Sequence, residues 1–176
     1  MTDRPLWLYD EFTYTGTDYG DPEEVAKYET RMGEIRDFDA EAEDIMEALG
    51  LRPEDTLLEL GMGTAWFALR AAARCRFVNA CDVSKAMVDY ARSRAEEDGI
   101  ENIAFHHAGF LTYAHENEPV DAVVSQLALH HIPDFWKAVA LNRIAGALKP
   151  GGTFWLKDVV FGFDIGDYED VFNEAR

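Results

Sequence analysis

The chain has little cysteine, little positive charge and no long apolar run. Two cysteines, Cys75 and Cys81, occur in 176 residues. They are spaced too widely for a CxxC pair, and both flank or sit in an expected buried strand. The sequence therefore predicts two reduced core thiols and not a disulfide framework. Lysine and arginine number 16 against 34 aspartates and glutamates, a formal net charge of -18. Residues 1–50 hold 15 acidic and 4 basic side chains. Such a field repels nucleic acid and anionic membranes, and no basic patch offsets it, so neither is expected as a partner. No apolar run approaches the roughly 20 residues that span a bilayer. The start, MTDRPLWLYDEFTYTG, lacks the basic opening and apolar centre of a signal peptide, and a cytoplasmic location is expected. No His/Cys/Asp spacing matches a metal site, so no metal is expected. There is no internal repeat and no low-complexity tract.

What is present is a globular composition, 48% hydrophobic and 12% aromatic, long enough for one α/β core. Residues 1–37 are rich in aromatics and turn residues, with a helix expected from about Pro22 to Arg36. Phe38, Ala42, Ile45, Met46 and Leu49 recur at helical spacing, and Gly50 and Pro53 stop that helix. An alternation follows. Thr56 to Gly61 reads as strand 1, then a helix from Thr64 to about Arg74, capped by Thr64. Phe77 to Asp82 reads as strand 2. Ser84 caps a helix with Met87, Tyr90, Ala91 and Ala95 on its apolar face and Gly99 as its stop. Ile103 to Ala108 is strand 3 and Val120 to Ser125 strand 4. Asp134 caps a helix ended by Lys149-Pro150-Gly151-Gly152, and Thr153 to Val160 is strand 5. Strands separated by helices imply right-handed βαβ units: an α/β, Rossmann-like, doubly wound, mostly parallel sheet in the order 3-2-1-4-5. The expected division is 1–37 as an aromatic, acidic lid segment and 38–176 as the Rossmann-like domain.

Chemistry concentrates at the end of strand 1, in Leu58-Glu59-Leu60-Gly61-Met62-Gly63-Thr64. Gly61 permits the tight turn out of the strand, and Gly63 lets backbone approach a ligand with no Cβ between them. A dinucleotide fingerprint needs a third glycine at position 66, which is Trp66 here. Glu59 repels a diphosphate but suits an amino group or a cation. S-adenosylmethionine carries an ammonium and a sulfonium and no phosphate, so the pattern favours it over a nicotinamide dinucleotide. Asp82 ends strand 2, where a carboxylate takes both hydroxyls of a ribose.

Four segments then carry a family resemblance: LLELGMGT from Leu57, ACDVS from Ala80, DAVVSQLALHHIPD from Asp121 and LKPGG from Leu148. In this order they resemble the motifs of class I S-adenosylmethionine-dependent methyltransferases, in particular the type 11/25-like, ubiquinone-biosynthesis-like subgroup, across about residues 40–160. The resemblance implies a methyltransferase with S-adenosylmethionine as cofactor and a small-molecule acceptor. It implies that Glu59, Gly61 and Gly63 hold the methionine part. Asp82 would hold the ribose, Val83 would lie against the adenine, Gln126 and Leu127 would sit beside the methyl donor, and Thr64 and Met87 join the cofactor-binding set. Many relatives carry an aspartate after strand 3 that accepts from the adenine amino group. Here Gly109 and Phe110 stand there, so backbone or another side chain must do that work. Relatives also continue with a sixth and a seventh strand, which this chain is expected to lack. Strand 5 would then be an open edge, where a second copy could pair.

A base is needed only if the acceptor loses a proton. His130 and His131, just past strand 4, are the candidates, against a plain role as turn histidines. His106 and His107 on strand 3 read as structural. Trp7, Tyr9, Phe12, Tyr14 and Tyr19 are candidates for a lid over the acceptor, or for ordinary packing. The competing functions are a catalytically inactive cofactor-binding module, suggested by the short C-terminus, and a nicotinamide-dependent oxidoreductase, which Trp66 and Glu59 disfavour.

Overall fold

The structure is a computed structural model that describes residues 5–13, 22–34, 36–159 and 162–174. The sheet has five parallel strands in the order β3-β2-β1-β4-β5: β1 Thr56–Leu60, β2 Phe77–Asp82, β3 Ile103–His107, β4 Val120–Gln126 and β5 Leu148–Lys157. The sheet order is that expected from the alternation of apolar runs and helices. The helices are α1 Pro22–Gly33, α2 Phe38–Leu49, α3 Trp66–Ala72, α4 Lys85–Glu97, α5 Asp134–Ala147 and a short α6, Tyr168–Glu174.

Alternating side chains on the central strands feed two cores. Leu57, Val78, Ala80, Ala122 and Val124 face one, with α2, α3 and α4 packed over them. Leu58, Leu60, Cys81 and Val123 face the other, under α5. This two-sided burial explains the near-continuous apolar runs of β1, β2 and β4. The bottom of the sheet is tied by Asp121, which accepts from Thr56 N at 2.8 Å and Thr56 Oγ1 at 3.0 Å and pairs with Lys149 Nζ at 2.7 Å. Cys75 and Cys81 are both buried free thiols.

The local chemistry departs from expectation at three places. Thr64 does not cap α3. Ala65, at φ 60°, precedes that helix, and no side chain caps it. The helix starts at Trp66 because two further residues are spent on the turn. Asp134 is not a cap either. Pro133 holds that position, and Asp134 lies in the first turn, paired with Lys137 at 2.9 Å. Finally, Lys149-Pro150-Gly151-Gly152 is not a turn outside the sheet. It lies within β5, where a register shift between Val120 and Ala122 absorbs the extra residues. Among the described residues no helix is long and apolar enough to cross a membrane, and no group of acids, histidines and cysteines could hold a metal ion.

Candidate active site

Parallel strands deliver their carboxyl ends to one rim, and the turns leaving β1, β2 and β4 meet there. Gly61 N and Met62 N both donate to the Cys81 carbonyl, at 2.9 and 3.0 Å, which pins the turn after β1 to the end of β2. Gly61 and Gly63 adopt φ of 76° and 54°. A Cβ on Gly61 would lie 2.3 Å from Ala128 Cβ, so only glycine lets this turn close against the segment after β4. That segment is itself constrained. Leu127 sits at φ 51°, its amide donating to the Lys157 carbonyl at 2.7 Å.

Two clefts open on this rim and share Tyr28, Gly61, Gly63 and Gln126. The first continues past Asp82, Val83 and Met87 to Gly109, Phe110 and Leu127, and reaches His131. The second runs past Glu59 and Thr64 to Arg36 and Glu41. All eleven residues expected at the cofactor therefore line one cleft or both. The two histidines separate. His131 faces the first cleft, whereas His130 is turned to Asp158, its Nδ1 2.6 Å from Oδ1. Burial and the neighbouring His130 hold His131 below the usual histidine range, against the pull of Asp158, so its imidazole is neutral near pH 7. His106 and His107 stay outside the clefts. Each makes a structural contact, with Asn79 Oδ1 and the Val83 carbonyl respectively.

Two buried carboxyls shape the electrostatics. Asp82 accepts from Gly63 N and Ser84 N, each at 2.8 Å. Burial raises its pKa to about 6, although these amides and His107 oppose the shift. Glu59 is 2% exposed, and its Oε2 has no hydrogen-bond partner. Burial pushes this carboxyl well above the usual range. The Ala68 amide and Gln126 oppose that shift, and the nearby Asp82 reinforces it. A buried carboxyl oxygen without a partner is costly, and a donor reaching it from the cleft would relieve that cost.

Arg36 was not expected here. Its Nη2 lies 2.5 Å from Glu41 Oε2 and 3.3 Å from Gln126 Oε1, and Lys157 Nζ also reaches Glu41, at 3.0 Å. It belongs to the short link between α1 and α2, which carries no motif. Only the folded chain brings it to the second cleft. Tyr28 of α1 and Glu11 reach the clefts in the same way. Of the aromatic residues expected near the N-terminus, Trp7 stacks on Trp136 with centroids 6.5 Å apart, Tyr9 lies 6.4 Å from the same ring, and Phe12 packs edge-on to His107 at 5.1 Å. Tyr14 and Tyr19 lie outside the described residues. Trp66 lines the second cleft and contacts the Phe38 ring and the Arg70 and Arg94 guanidiniums.

Comparison with known proteins bears on this site. Residues 57–152 match the family model described as a methyltransferase domain. An uncharacterised methyltransferase of Mycobacterium tuberculosis is 36% identical over 110 residues, covering 62% of this chain and 52% of the relative. The chain is similar in structure to YcgJ of Bacillus subtilis, with a TM-score of 0.58 and 27% identity over 66% of this chain and 49% of that one. It shares its fold with the N-methyltransferase NodS of Bradyrhizobium japonicum, solved with S-adenosyl-L-homocysteine, at a TM-score of 0.64 and 20% identity, over 76% of this chain and 68% of that one. The chain spans about half the length of the curated relatives that it matches, 52% of the mycobacterial protein and 47% of YcgJ.

Proposed function

The chain belongs to the class I methyltransferase-domain family, and from that premise we propose that its double cleft binds S-adenosylmethionine and directs its methyl group to a small-molecule acceptor. The observation that carries this reading is the pairing of Asp82 and the Gly61–Gly63 turn with an unsatisfied, buried Glu59 oxygen in the adjoining cleft. The residues fit the ligand group by group. Asp82 accepts from the ribose hydroxyls while retaining its two backbone donors. Glu59 Oε2 receives the methionine ammonium, which the NodS neighbour's S-adenosylhomocysteine also carries. The Arg36 guanidinium faces the methionine carboxylate. Thr64 stands beside Glu59 in that cleft. Val83, Met87 and Phe110 offer apolar faces to the adenine beside Gly109, and Gln126 and Leu127 flank the junction of the clefts.

The bound cofactor supplies a methyl group already activated on a sulfonium. The chain's own residues align, shield and, where needed, take up a proton. Leu127, held left-handed at the junction, fixes one wall of the approach. Residues 5–13 reach the first cleft through Glu11, while Trp7 and Tyr9 pack on Trp136 and Phe12 on His107; in this reading the segment is the lid and 38–176 the cofactor-binding body. An acceptor bound under that lid meets His131, whose neutral imidazole nitrogen takes the proton of an acceptor hydroxyl or ammonium. His130, paired to Asp158, positions its neighbour, the two rings lying 4.1 Å apart. The acidic surface suits a small acceptor better than a nucleic acid. A second copy pairing along the open β5 edge belongs to this reading, and light scattering of the full chain tests it.

Calorimetry with S-adenosylhomocysteine tests the central assignment. Asp82→Ala is expected to weaken binding by about 2–3 kcal/mol, the cost of deleting a hydrogen-bonded charged partner. Asp82→Asn, which keeps the shape, shows the same direction if the carboxylate charge matters. Unchanged affinity in both variants contradicts the ribose role. Catalysis is tested separately: binding without methyl transfer to any acceptor, including those in cell extract, favours an inactive module.

A further inference from the structure

Glu11 is the least expected acidic group near the clefts. It lies in the N-terminal segment, about a hundred positions from its partners, yet it is only 4% exposed. Its Oε1 accepts from Thr112 N at 2.8 Å, Thr112 Oγ1 at 2.6 Å and Leu111 N at 3.1 Å. The Thr112 hydroxyl in turn accepts from Gly109 N at 3.0 Å, which fixes the direction of its proton toward Glu11. Oε2 shares only the Leu111 amide in this set, at 3.1 Å. The carboxylate is thus clamped by one oxygen and presents the other.

What Oε2 presents itself to follows from Gly109. A Cβ at that position would lie 2.6 Å from Glu11 Oε2 and 2.6 Å from Val83 Cγ1. The carboxylate oxygen therefore stands in the space that a side chain on residue 109 would enter, against Val83. Glu11, Val83, Met87 and Phe110 line the same cleft as Asp82. A carboxylate oxygen is an acceptor only, and on an apolar wall it selects a ligand N–H and rejects a ligand carbonyl.

We propose that Glu11 Oε2 accepts a hydrogen bond from the exocyclic amino group of the adenine, so that the N-terminal segment, and not the loop after β3, reads the nucleobase. The inference rests on the adenosyl-ligand reading above. It makes Glu11 a specificity residue and couples docking of residues 5–13 to occupation of the cleft. Gly109 is the counterpart of that arrangement: any larger residue would evict either the carboxylate or Val83.

The test compares S-adenosylhomocysteine with its inosine analogue, in which a 6-oxo group replaces the 6-amino group, by calorimetry on the full chain. Wild type is expected to prefer the amino ligand by at least about tenfold, since two acceptors would otherwise face each other. Glu11→Gln keeps most of the clamp: its carbonyl takes the three donors at Oε1, and its NH₂, which gives up the Leu111 amide shared at Oε2, turns to the cleft. That variant is expected to lose or invert the preference. Equal affinities in wild type, or a Glu11→Gln variant that weakens both ligands equally, would overturn the proposal and leave Glu11 a purely structural clamp. If that variant fails to fold, Glu11→Asp, which withdraws the carboxylate from the adenine, is expected to reduce the preference, and an unchanged preference there overturns the proposal. Failure of both ligands to bind wild type overturns the adenosyl reading itself, which is a separate outcome.

Discussion

Two buried carboxyls, Glu59 and Asp82, set the pH behaviour expected of the cleft. Both hold their protons more tightly in the folded chain than in the unfolded one. For such acids the folded state binds the extra proton, so their contribution to stability falls as pH rises from the unfolded pKa through the folded one. Ligand binding reverses the preference, because the ribose hydroxyls and the ammonium favour the ionised carboxylates. Affinity for S-adenosylhomocysteine is therefore expected to rise with pH up to about 6, the Asp82 value, and calorimetry in buffers of different ionisation enthalpy is expected to show net proton release near that pH. Glu59→Gln removes part of that release and weakens binding; proton release unchanged in this variant contradicts the ammonium assignment. At Gly61 an alanine meets both a φ of 76° and the Ala128 methyl. Gly61→Ala is expected to destabilise the fold by about 1–3 kcal/mol and to abolish ligand binding, as read by thermal denaturation with and without ligand. The glycine turn and Asp82 were legible in the sequence because each follows a recognisable strand. Arg36, Tyr28 and Glu11 were not, because nothing local marks a side chain that reaches its partners only through the tertiary fold.

At the scale of elements, the cap of α4 was legible, whereas the cap of α2, Asp37 accepting from Ala40 N at 3.1 Å, went unread. Ser84 was expected to cap α4, and it accepts from Met87 N at 3.2 Å. Ser84→Ala is expected to cost about 1 kcal/mol in a denaturation experiment, and more in ligand affinity than in stability if the start of α4 also shapes the adenine wall. Helix α3 starts later than Thr64 because Ala65 enters the left-handed region, which alanine does not advertise. Strand β5 starts before Thr153 because Pro150, Gly151 and Gly152, which read as a turn, are accommodated at the sheet edge by an irregular pairing with β4. The sheet order was legible because βαβ connections leave few alternatives once the strands are located.

For the whole molecule, the two cores hold the strands and the rim between their ends carries the site. Leu57 is fully buried in the first core. Leu57→Ala is expected to cost about 2–5 kcal/mol in chemical denaturation while leaving the affinity of the remaining folded protein near that of wild type, because Leu57 lies at the start of β1, away from the rim. A loss of affinity larger than the loss of folded protein would mean that core and rim are coupled more tightly than the architecture implies. The net charge of -18 acts over the whole surface. It is expected to keep association with nucleic acid undetectable at physiological salt in a gel-shift titration, and tight duplex binding would point to a macromolecular acceptor.

The most direct measurement is a calorimetric titration of the full chain with S-adenosylhomocysteine, run side by side on wild type and Asp82→Asn. Saturable one-to-one binding to wild type, weakened at least about tenfold in the variant measured well below its own melting temperature, is the expected result. No binding to wild type, or equal affinity in the two proteins, would contradict the assignment of this rim to an adenosyl ligand.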